Sequence, residues 1–203
     1  MAPWLQAIVL GIIQGLTEFL PVSSSGHLAL LQAWLGDQFA FAREAVAFDL
    51  VLHIGTLLPV LWYYRKELSR MIAGLTAAPT EDRGWLMGHP ERRLALMGIL
   101  ATIPTGVMGI TLKDTFEGLF HSPSAVCSAV VVTGGLLLST RFFDKGQGKT
   151  EILWYVALII GLAQGFAITP GISRSGSTIA VALLLGSDRE LAARFSFLLA
   201  IPA

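Results

Sequence analysis

Charged residues are scarce in this chain. Of its 203 residues, 14% are Asp, Glu, Lys or Arg, whereas 54% are hydrophobic. A soluble domain carries about 25% charged residues, so the composition excludes an ordinary soluble protein and indicates an integral membrane protein. The 14 basic residues balance the 14 acidic ones. The resulting net charge of +0 gives no bulk attraction to nucleic acid, and we expect no nucleic-acid partner.

Cysteine is almost absent as well. The single thiol, Cys127, can form no internal disulfide, and the apolar run around it predicts a small buried residue. The N-terminus has no basic segment followed by a cleavage site, so we expect no removed signal peptide. A Walker loop, a Rossmann glycine signature, zinc-type Cys/His spacing and a heptad repeat are also missing, so none of those sites is predicted.

Long apolar runs make up most of the chain. Three of them, at Val46–Tyr64, Leu94–Leu112 and Ala125–Phe143, have the roughly 20 residues that a membrane-spanning helix needs. Two others are too short to span, and each follows a break rich in Pro, Ser and Gly. We therefore predict an all-α, polytopic membrane helix bundle with two re-entrant helical hairpins, whose tips are buried or line a cavity. The remaining runs, the two short ones included, are Leu5–Phe19, Gly26–Leu35, Ile152–Thr169, Ser177–Gly186 and Leu191–Ala203.

A repeat relates the two halves of the chain. The segment from Gln14 to His27 returns in altered form from Gln164 to Gly176, at a constant offset of 150. Such repeats are typical of membrane proteins in which two broken helices form one site. We predict a single integral membrane domain over 1–203, with repeat 1 at about 1–112 and repeat 2, truncated at its C-terminus, at about 125–203. The matching residues are Gly11, Gln14, Gly15, Ser23, Ser25, Gly26 and Gly36 with Gly161, Gln164, Gly165, Ser173, Ser175, Gly176 and Gly186.

Basic residues predict the orientation. The connections 65–93 and 141–151 are rich in Lys and Arg, which assigns both to the cytoplasm, whereas 113–124 has only Lys113. Three spans separate the two hairpins, and an odd number of spans places the two hairpins on opposite sides of the membrane. The first hairpin must then enter from outside and the second from the cytoplasm. The prediction is an inverted-topology repeat with both tips near the middle of the membrane.

The first tip carries an acid, a histidine and a run of serines. Glu18 follows Gln14 by four residues, so the two side chains share a helical face and can hold a cation or place a base near a hydroxyl. His27 closes the turn and can act as a general acid or base. Structural roles compete with these: a carboxylate bonded to the turn, a packed histidine and ordinary serine N-caps. Hydroxyls and backbone N–H groups that could bind an anion are supplied by Ser23, Ser24, Ser25 and Gly26.

The second tip carries an arginine. Arg174 offers a fixed pair of N–H donors that suits phosphate, although its alternative partner is Glu18 across the repeat, as a structural ion pair. Asp49 and His53, one turn apart on a predicted span, either support the site, form part of a proton path or pack within the bundle. Further phosphate contacts are predicted from Ser173, Ser175, Gly176 and Thr178.

The two tips together resemble a known family. Gln14-x-x-x-Glu18 followed by Phe-Leu-Pro-Val-Ser-Ser-Ser-Gly-His27, and Pro170-Gly-Ile-Ser-Arg-Ser-Gly-Ser-Thr178, are similar to the two signatures of the bacterial undecaprenyl-diphosphate phosphatase family linked to bacitracin resistance. The resemblance covers the hydrophobic layout of the whole chain. It implies a multi-pass enzyme of the bacterial plasma (inner) membrane that removes the terminal phosphate of an isoprenoid diphosphate in a pocket facing the outer side.

The resemblance also implies roles and partners. Glu18 and His27 would do acid–base or metal work, Arg174 would clamp the diphosphate, and the serines would contact phosphate or supply the nucleophile, with Ser24 preferred. A divalent cation, Mg²⁺ or else Ca²⁺, would be held by Gln14 and Glu18, although many members have Glu in place of the amide. The expected partners are the polyprenyl diphosphate substrate, membrane lipids and a second copy in a homodimer. Because the chain is shorter than family members, we expect one or two further spans beyond it.

Alternatives stay open for the mechanism and for the function. Ser24 attacks with His27 as base and forms a phosphoserine, or His27 and Glu18 activate water directly. A transporter that moves a polyprenyl phosphate between leaflets would use the same head-group site, because broken helices meeting at the midplane are typical of secondary transporters. A purely structural bundle, in which Glu18 and Arg174 neutralise each other, is the third interpretation.

Overall fold

The fold is built from α-helices. A computed structural model describes residues 2–38, 41, 45–77, 89–120, 122–143 and 148–202. Within those ranges every regular element is helical, which confirms the all-α prediction. The helices are α1 (Pro3–Thr17), α2 (Ser24–Leu35), α3 (Ala45–Thr76), α4 (Pro90–Thr111), α5 (Lys113–Phe120), α6 (Pro123–Phe143), α7 (Trp154–Phe166), α8 (Arg174–Leu184) and α9 (Arg189–Leu199), with a 3₁₀ turn at Gly36–Gln38.

Three helices are long and apolar enough to cross a membrane. They are Ala47–Thr76 in α3, the whole of α4, and Pro123–Phe142 in α6. These are the three spans that the apolar runs predict, and the chain is a membrane protein. Large apolar side chains such as Val131 and Leu138 are exposed on α6, as expected for a helix that faces lipid.

Helix α3 is longer than its apolar run. It continues past Tyr64 to Thr76, through a basic segment that the sequence assigns to a connection. Long Lys and Arg side chains can reach the membrane surface from a helix, and the segment contains no proline, so the end of the apolar run does not end the helix. The predicted connection 113–124 likewise contains α5, whose Phe116 is buried while Lys113 is exposed.

The position of Cys127 differs from the prediction. Its thiol is exposed on α6, whereas its apolar surroundings in the sequence predict a buried residue. In a membrane protein an apolar neighbourhood is equally compatible with packing against protein and with facing lipid. Apolar sequence therefore does not predict burial here.

The main core packs α4 against α7, α8 and α9. Ala101 of α4, Ile160 of α7, Ala182 of α8 and Phe195 of α9 are buried in one cluster. A Cβ added at Gly161 would lie 2.0 Å from the carbonyl oxygen of Ala101, so α4 and α7 approach closely enough to require glycine. This core holds α7 and α8, and with them the second polar tip, in a fixed position.

Candidate active site

Helices α2 and α8 start with the same serine cap. Ser23 is the N-cap of α2, and its hydroxyl accepts a hydrogen bond from the backbone N–H of Gly26 at 3.2 Å. Ser173 caps α8 in the same way, with Gly176 as donor at 3.0 Å. The equivalence at an offset of 150 in the sequence therefore extends to the local structure of both tips.

The turn before α2 has a strained backbone at Ser23. Ser23 has φ 63°, a left-handed conformation that is unfavourable for a residue other than glycine. Nδ1 of His27 lies 2.7 Å from the Ser23 carbonyl oxygen and holds this turn. Strained backbone persists only where the surroundings fix it, and it is common at functional sites.

The two tips contact each other through their glycines. A Cβ on Gly26 would lie 2.9 Å from Cα of Gly171, and a Cβ on Gly176 would lie 3.2 Å from the carbonyl oxygen of Pro21. Positions 21 and 171 are also related by the offset of 150, so each glycine meets the equivalent position of the other tip. Gly26 and Gly176, predicted as substrate contacts, thus bring the tips together.

Glu18 lies at the centre of the site. Its side chain is only 8% exposed. Oε2 accepts hydrogen bonds from Ser24 Oγ at 2.5 Å and from Gln14 Nε2 at 2.9 Å. Oε1 accepts a hydrogen bond from the guanidinium of Arg174. The structure therefore joins an acid, a serine and an arginine from the two tips.

Arg174 is the first residue of α8 and is about two-thirds buried. In addition to Glu18, its guanidinium lies 3.5 Å from the Ala200 carbonyl oxygen. Arginine has five N–H donors, so within the described part of the chain most of them are free for a ligand. The ion pair with Glu18 and a contact to phosphate are therefore compatible.

A cavity of about 510 Å³ opens beside this cluster. Its wall includes apolar residues of two helices and of the turn after α7: Ile110 of α4, Phe120 of α5 and Ile168. A polar end joined to an apolar wall suits a phosphorylated lipid. The predicted site residues that line it are Glu18, Ser23, Ser24, Ser25, Ser173, Arg174 and Ser175.

The other predicted site residues are not part of the cavity wall: Gln14, Gly26, His27, Gly176 and Thr178. The Thr178 hydroxyl is buried and lies 2.6 Å from Ser196 Oγ, so it connects α8 to α9. His27 is exposed, because its ring turns back towards the Ser23 carbonyl. The structure thus does not bring His27 to Glu18 and Ser24.

A different histidine approaches Glu18. Nε2 of His53 lies 3.6 Å from Glu18 Oε2, and Nδ1 of His53 lies 2.9 Å from the Asp49 carbonyl oxygen. The Asp49 carboxylate accepts a hydrogen bond from Gln32 at 2.7 Å, which connects α3 to α2. Asp49 and His53 both line the cavity. Of the roles considered for this pair, the geometry favours support of the site.

Thr105 and Gln164 also line the cavity, although the sequence indicates no role for either. The Thr105 hydroxyl donates to the Gly161 carbonyl at 2.8 Å and lies 3.4 Å from the Gln164 amide nitrogen. Oε1 of Gln164 is buried and finds no partner among the described residues, and the same is true of Oε1 of Gln14. The two glutamines are equivalent in the repeat, which is the signal that identifies Gln164.

The residues present fit a cation that the substrate helps to hold. The described residues contain no group of three or more His, Cys, Asp or Glu that could bind a metal. Mg²⁺, however, is commonly held by one or two carboxylates together with substrate phosphates. Glu18 supplies a carboxylate, and the unpartnered oxygen of Gln14, which bonds Glu18 through its amide nitrogen, supplies a second oxygen donor.

Comparison with known proteins gives a consistent result. The family described as bacitracin resistance protein BacA matches residues 7–203. Three curated relatives, each named undecaprenyl-diphosphatase, are similar along nearly the whole chain. They come from Syntrophotalea carbinolica (48% identical over 201 residues), Methanosphaera stadtmanae (45% over 207) and Rubrobacter xylanophilus (43% over 204). The alignments cover 98%, 98% and 100% of this chain and 73% of each relative.

Proposed function

The chain belongs to the bacitracin resistance protein BacA family, and we propose that it hydrolyses undecaprenyl diphosphate to undecaprenyl phosphate and inorganic phosphate. The contact of the Glu18 carboxylate with both Ser24 and Arg174, at one end of a largely apolar cavity, carries this proposal. The relatives' name, undecaprenyl-diphosphatase, indicates the substrate. Its product is the monophosphate lipid carrier of peptidoglycan synthesis.

Ser24 is the proposed nucleophile, and Glu18 is its base. The Ser24 oxygen attacks the terminal phosphorus while its proton passes to Oε2 of Glu18, 2.5 Å away. The bond from that phosphorus to the bridging oxygen breaks, and the proton moves on from Glu18 to the departing undecaprenyl phosphate. The terminal phosphoryl group stays on Ser24 as a phosphoserine.

Water completes the reaction. Glu18, ionised again, accepts a proton from a water molecule that attacks the phosphoserine. The bond between phosphorus and the Ser24 oxygen breaks, and Glu18 returns the proton to that oxygen. Inorganic phosphate leaves, and the site is restored. Glu18 takes the role of base that the sequence gives to His27, since His27 is exposed and bonded to Ser23.

Arg174 and the two helix starts stabilise the transferring phosphoryl group. Catalysis of this reaction depends on positioning and on neutralising negative charge. The guanidinium of Arg174 supplies a full charge, and the N-termini of α2 and α8 add the positive ends of two helix dipoles on the cavity side. Ser23, Ser25, Ser173 and Ser175 provide further hydroxyls in the cavity wall.

A divalent cation, Mg²⁺ or else Ca²⁺, forms part of the proposal. Glu18 and the amide oxygen of Gln14 would hold it together with oxygens of the substrate. When bound, such a cation withdraws negative charge from the phosphates.

We propose a multi-pass enzyme of the bacterial plasma membrane with its pocket facing the outer side. Helices α1, α2, α7 and α8 have 15, 12, 13 and 11 residues, shorter than the roughly 20 of a spanning helix. They form two pairs, each with a polar turn, and three spans separate the pairs. This order supports two re-entrant hairpins in an inverted-topology repeat within one domain.

The test is phosphate release from undecaprenyl diphosphate by the purified protein in detergent, with Mg²⁺ and with chelator. We expect release that requires the cation and is lost in Arg174→Ala, but is kept in Arg141→Ala, whose side chain is exposed at the end of α6. A folded wild-type protein that releases no phosphate would overturn the proposed phosphatase activity. Movement of a polyprenyl phosphate head group in sealed vesicles would then identify a transporter.

A further inference from the structure

We infer that the lipid tail of the substrate leaves the cavity past Gly106 of α4, and that this glycine provides the space for it. The inference rests on the proposed function and deepens it, because it concerns the tail of the same substrate. It follows from the size of the cavity, from the exposed residues of its wall and from the free space beside Gly106.

The cavity is too small for the whole substrate. Its volume of about 510 Å³ suits a ligand of the size of a drug molecule. Undecaprenyl diphosphate has eleven isoprene units in addition to its two phosphates. With the diphosphate at the polar end, beside Glu18 and Arg174, only the first isoprene units fit in the cavity. The rest of the tail must pass through an opening in the wall.

The exposed residues of the wall show where the cavity opens. Gly106 and Ile110 of α4 and Phe120 of α5 are exposed, Ile110 to 82%. Among the described wall residues, Pro202 alone is exposed besides these three, and it also lines a separate groove with Gly98. The opening between α4 and α5 has an apolar rim, so an isoprenoid chain can pass without removing water from a polar group.

The side of α4 that faces α7 is closed. A Cβ added at Gly161 would lie 2.0 Å from the Ala101 carbonyl oxygen. One added at Gly165 would lie 2.5 Å from the sulfur of Met108. Contacts this close leave no room for a chain between α4 and α7. The tail therefore has to leave on the side of α4 that carries Gly106.

Packing within the protein does not require a glycine at position 106. An added Cβ would meet nothing within 4 Å. A glycine in the middle of a helix is less favourable than alanine by about 0.5–1 kcal/mol, so the missing side chain brings no gain to the helix itself. Thr102 and Ile110 lie one turn before and after Gly106 and line the same cavity. The missing side chain thus keeps a passage open between them.

The place of the opening agrees with the proposed orientation. Helix α4 ends at Thr111, and the connection 113–124 that follows it has only one basic residue, as expected for the outer side. Gly106 and Ile110 lie in the last two turns of α4. A tail that leaves past them would enter the outer half of the membrane, next to a pocket that faces outward.

Photo-cross-linking can locate the tail directly. Undecaprenyl phosphate with a diazirine on an isoprene unit near the phosphate is bound to the wild-type protein in detergent, irradiated, and mapped by mass spectrometry. We expect labelling within residues 106–120 that excess unlabelled undecaprenyl phosphate removes, whereas labelling from bulk lipid would persist. Competed labelling only elsewhere, for example at Pro202, or no competed labelling at all, would overturn the exit past Gly106.

Two glycines of α4 give matched variants for kinetics. Gly98 also leaves space for an added Cβ, but it lies outside the cavity, in the groove beside Pro202. We expect Gly106→Leu to lower kcat/KM for phosphate release from undecaprenyl diphosphate by about 10- to 100-fold, because the side chain obstructs the tail. Gly106→Ala should have a smaller effect, and Gly98→Leu should stay within about threefold of wild type. Equal unfolding temperatures would show that the variants are folded.

Other kinetic results would contradict the inference. Wild-type kcat/KM in Gly106→Leu, or an equal loss in Gly98→Leu, would overturn the role of Gly106. A folded wild-type protein that releases no phosphate would instead overturn the proposed function, and the cross-linking would still show where a bound tail lies. The two failures are therefore distinguishable.

Discussion

Glu18 and Arg174 are separated by 156 positions in the chain, and they form an ion pair where the two tips meet. Each residue belongs to one copy of the repeat, and neither copy has both. The proposed base and nucleophile come from the first tip, and the arginine proposed to bind phosphate comes from the second. The site therefore exists only when the tips are in contact, and Gly26 and Gly171 make that contact close.

Replacing Glu18 with Gln should stop turnover and strengthen binding of the product. The amide cannot accept a proton as a base, so we expect kcat to fall by about 100- to 10,000-fold. Arg174 would lose its anionic partner and bind undecaprenyl phosphate more tightly. Binding is measured in chelator, so that loss of a cation ligand does not contribute. Retained activity would remove Glu18 from the mechanism, and weaker product binding would show that Glu18 does not compete for Arg174.

Replacing Arg174 with Lys should show whether the planar guanidinium is required. Lysine keeps the charge but cannot contact Glu18 and a phosphate oxygen through fixed, separate N–H groups. We expect kcat/KM to fall by about 10- to 100-fold, measured by phosphate release. Arg141→Lys, on the exposed end of α6, should match wild type. Near-normal rates for Arg174→Lys would argue against bidentate binding.

The sequence predicts spans and the two polar tips well, for a physical reason. The length of an apolar run is a property of the sequence itself, and it identifies the spans in α3, α4 and α6. Glu18 and Arg174 are identified because ionisable groups within apolar runs are costly and rarely lack a function. Neither inference needs a contact between distant segments.

Which histidine faces the acid could not be predicted, because that depends on such a contact. His27 lies in the motif, yet its ring bonds the Ser23 carbonyl and is exposed. His53 lies on α3, and only the packing of α1 against α3 brings it to Glu18. The end of α3 was also not predictable from hydropathy, since a helix can continue beyond the apolar layer.

Ser24 should become phosphorylated during turnover. Its hydroxyl is the one bonded to Glu18, whereas Ser25 Oγ lies near Ser23 Oγ at 3.3 Å. We expect Ser24→Ala to lower kcat by about 100- to 10,000-fold and Ser25→Ala to have a much smaller effect. Rapid acid quenching followed by mass spectrometry should detect the phosphoserine. Turnover without it, or an active Ser24→Ala, would favour direct attack by water.

Replacing Gly26 with Ala should separate the two tips. The added Cβ would lie 2.9 Å from Cα and 3.3 Å from the backbone nitrogen of Gly171, and backbone cannot move aside as a side chain can. We expect a loss of about 1–3 kcal/mol in the free energy of unfolding, together with lower phosphate release as Arg174 moves away from Glu18.

Gly15→Ala is the matched control for this substitution. A Cβ there meets nothing within 4 Å, and α1 is helical at that position, so we expect stabilisation by about 0.5–1 kcal/mol and unchanged release. Both variants are compared by denaturant unfolding in detergent. If Gly26→Ala were as stable and active as Gly15→Ala, close contact between the tips would not be what holds Arg174 at Glu18, and the site would have to be maintained by the helix packing around α8 instead.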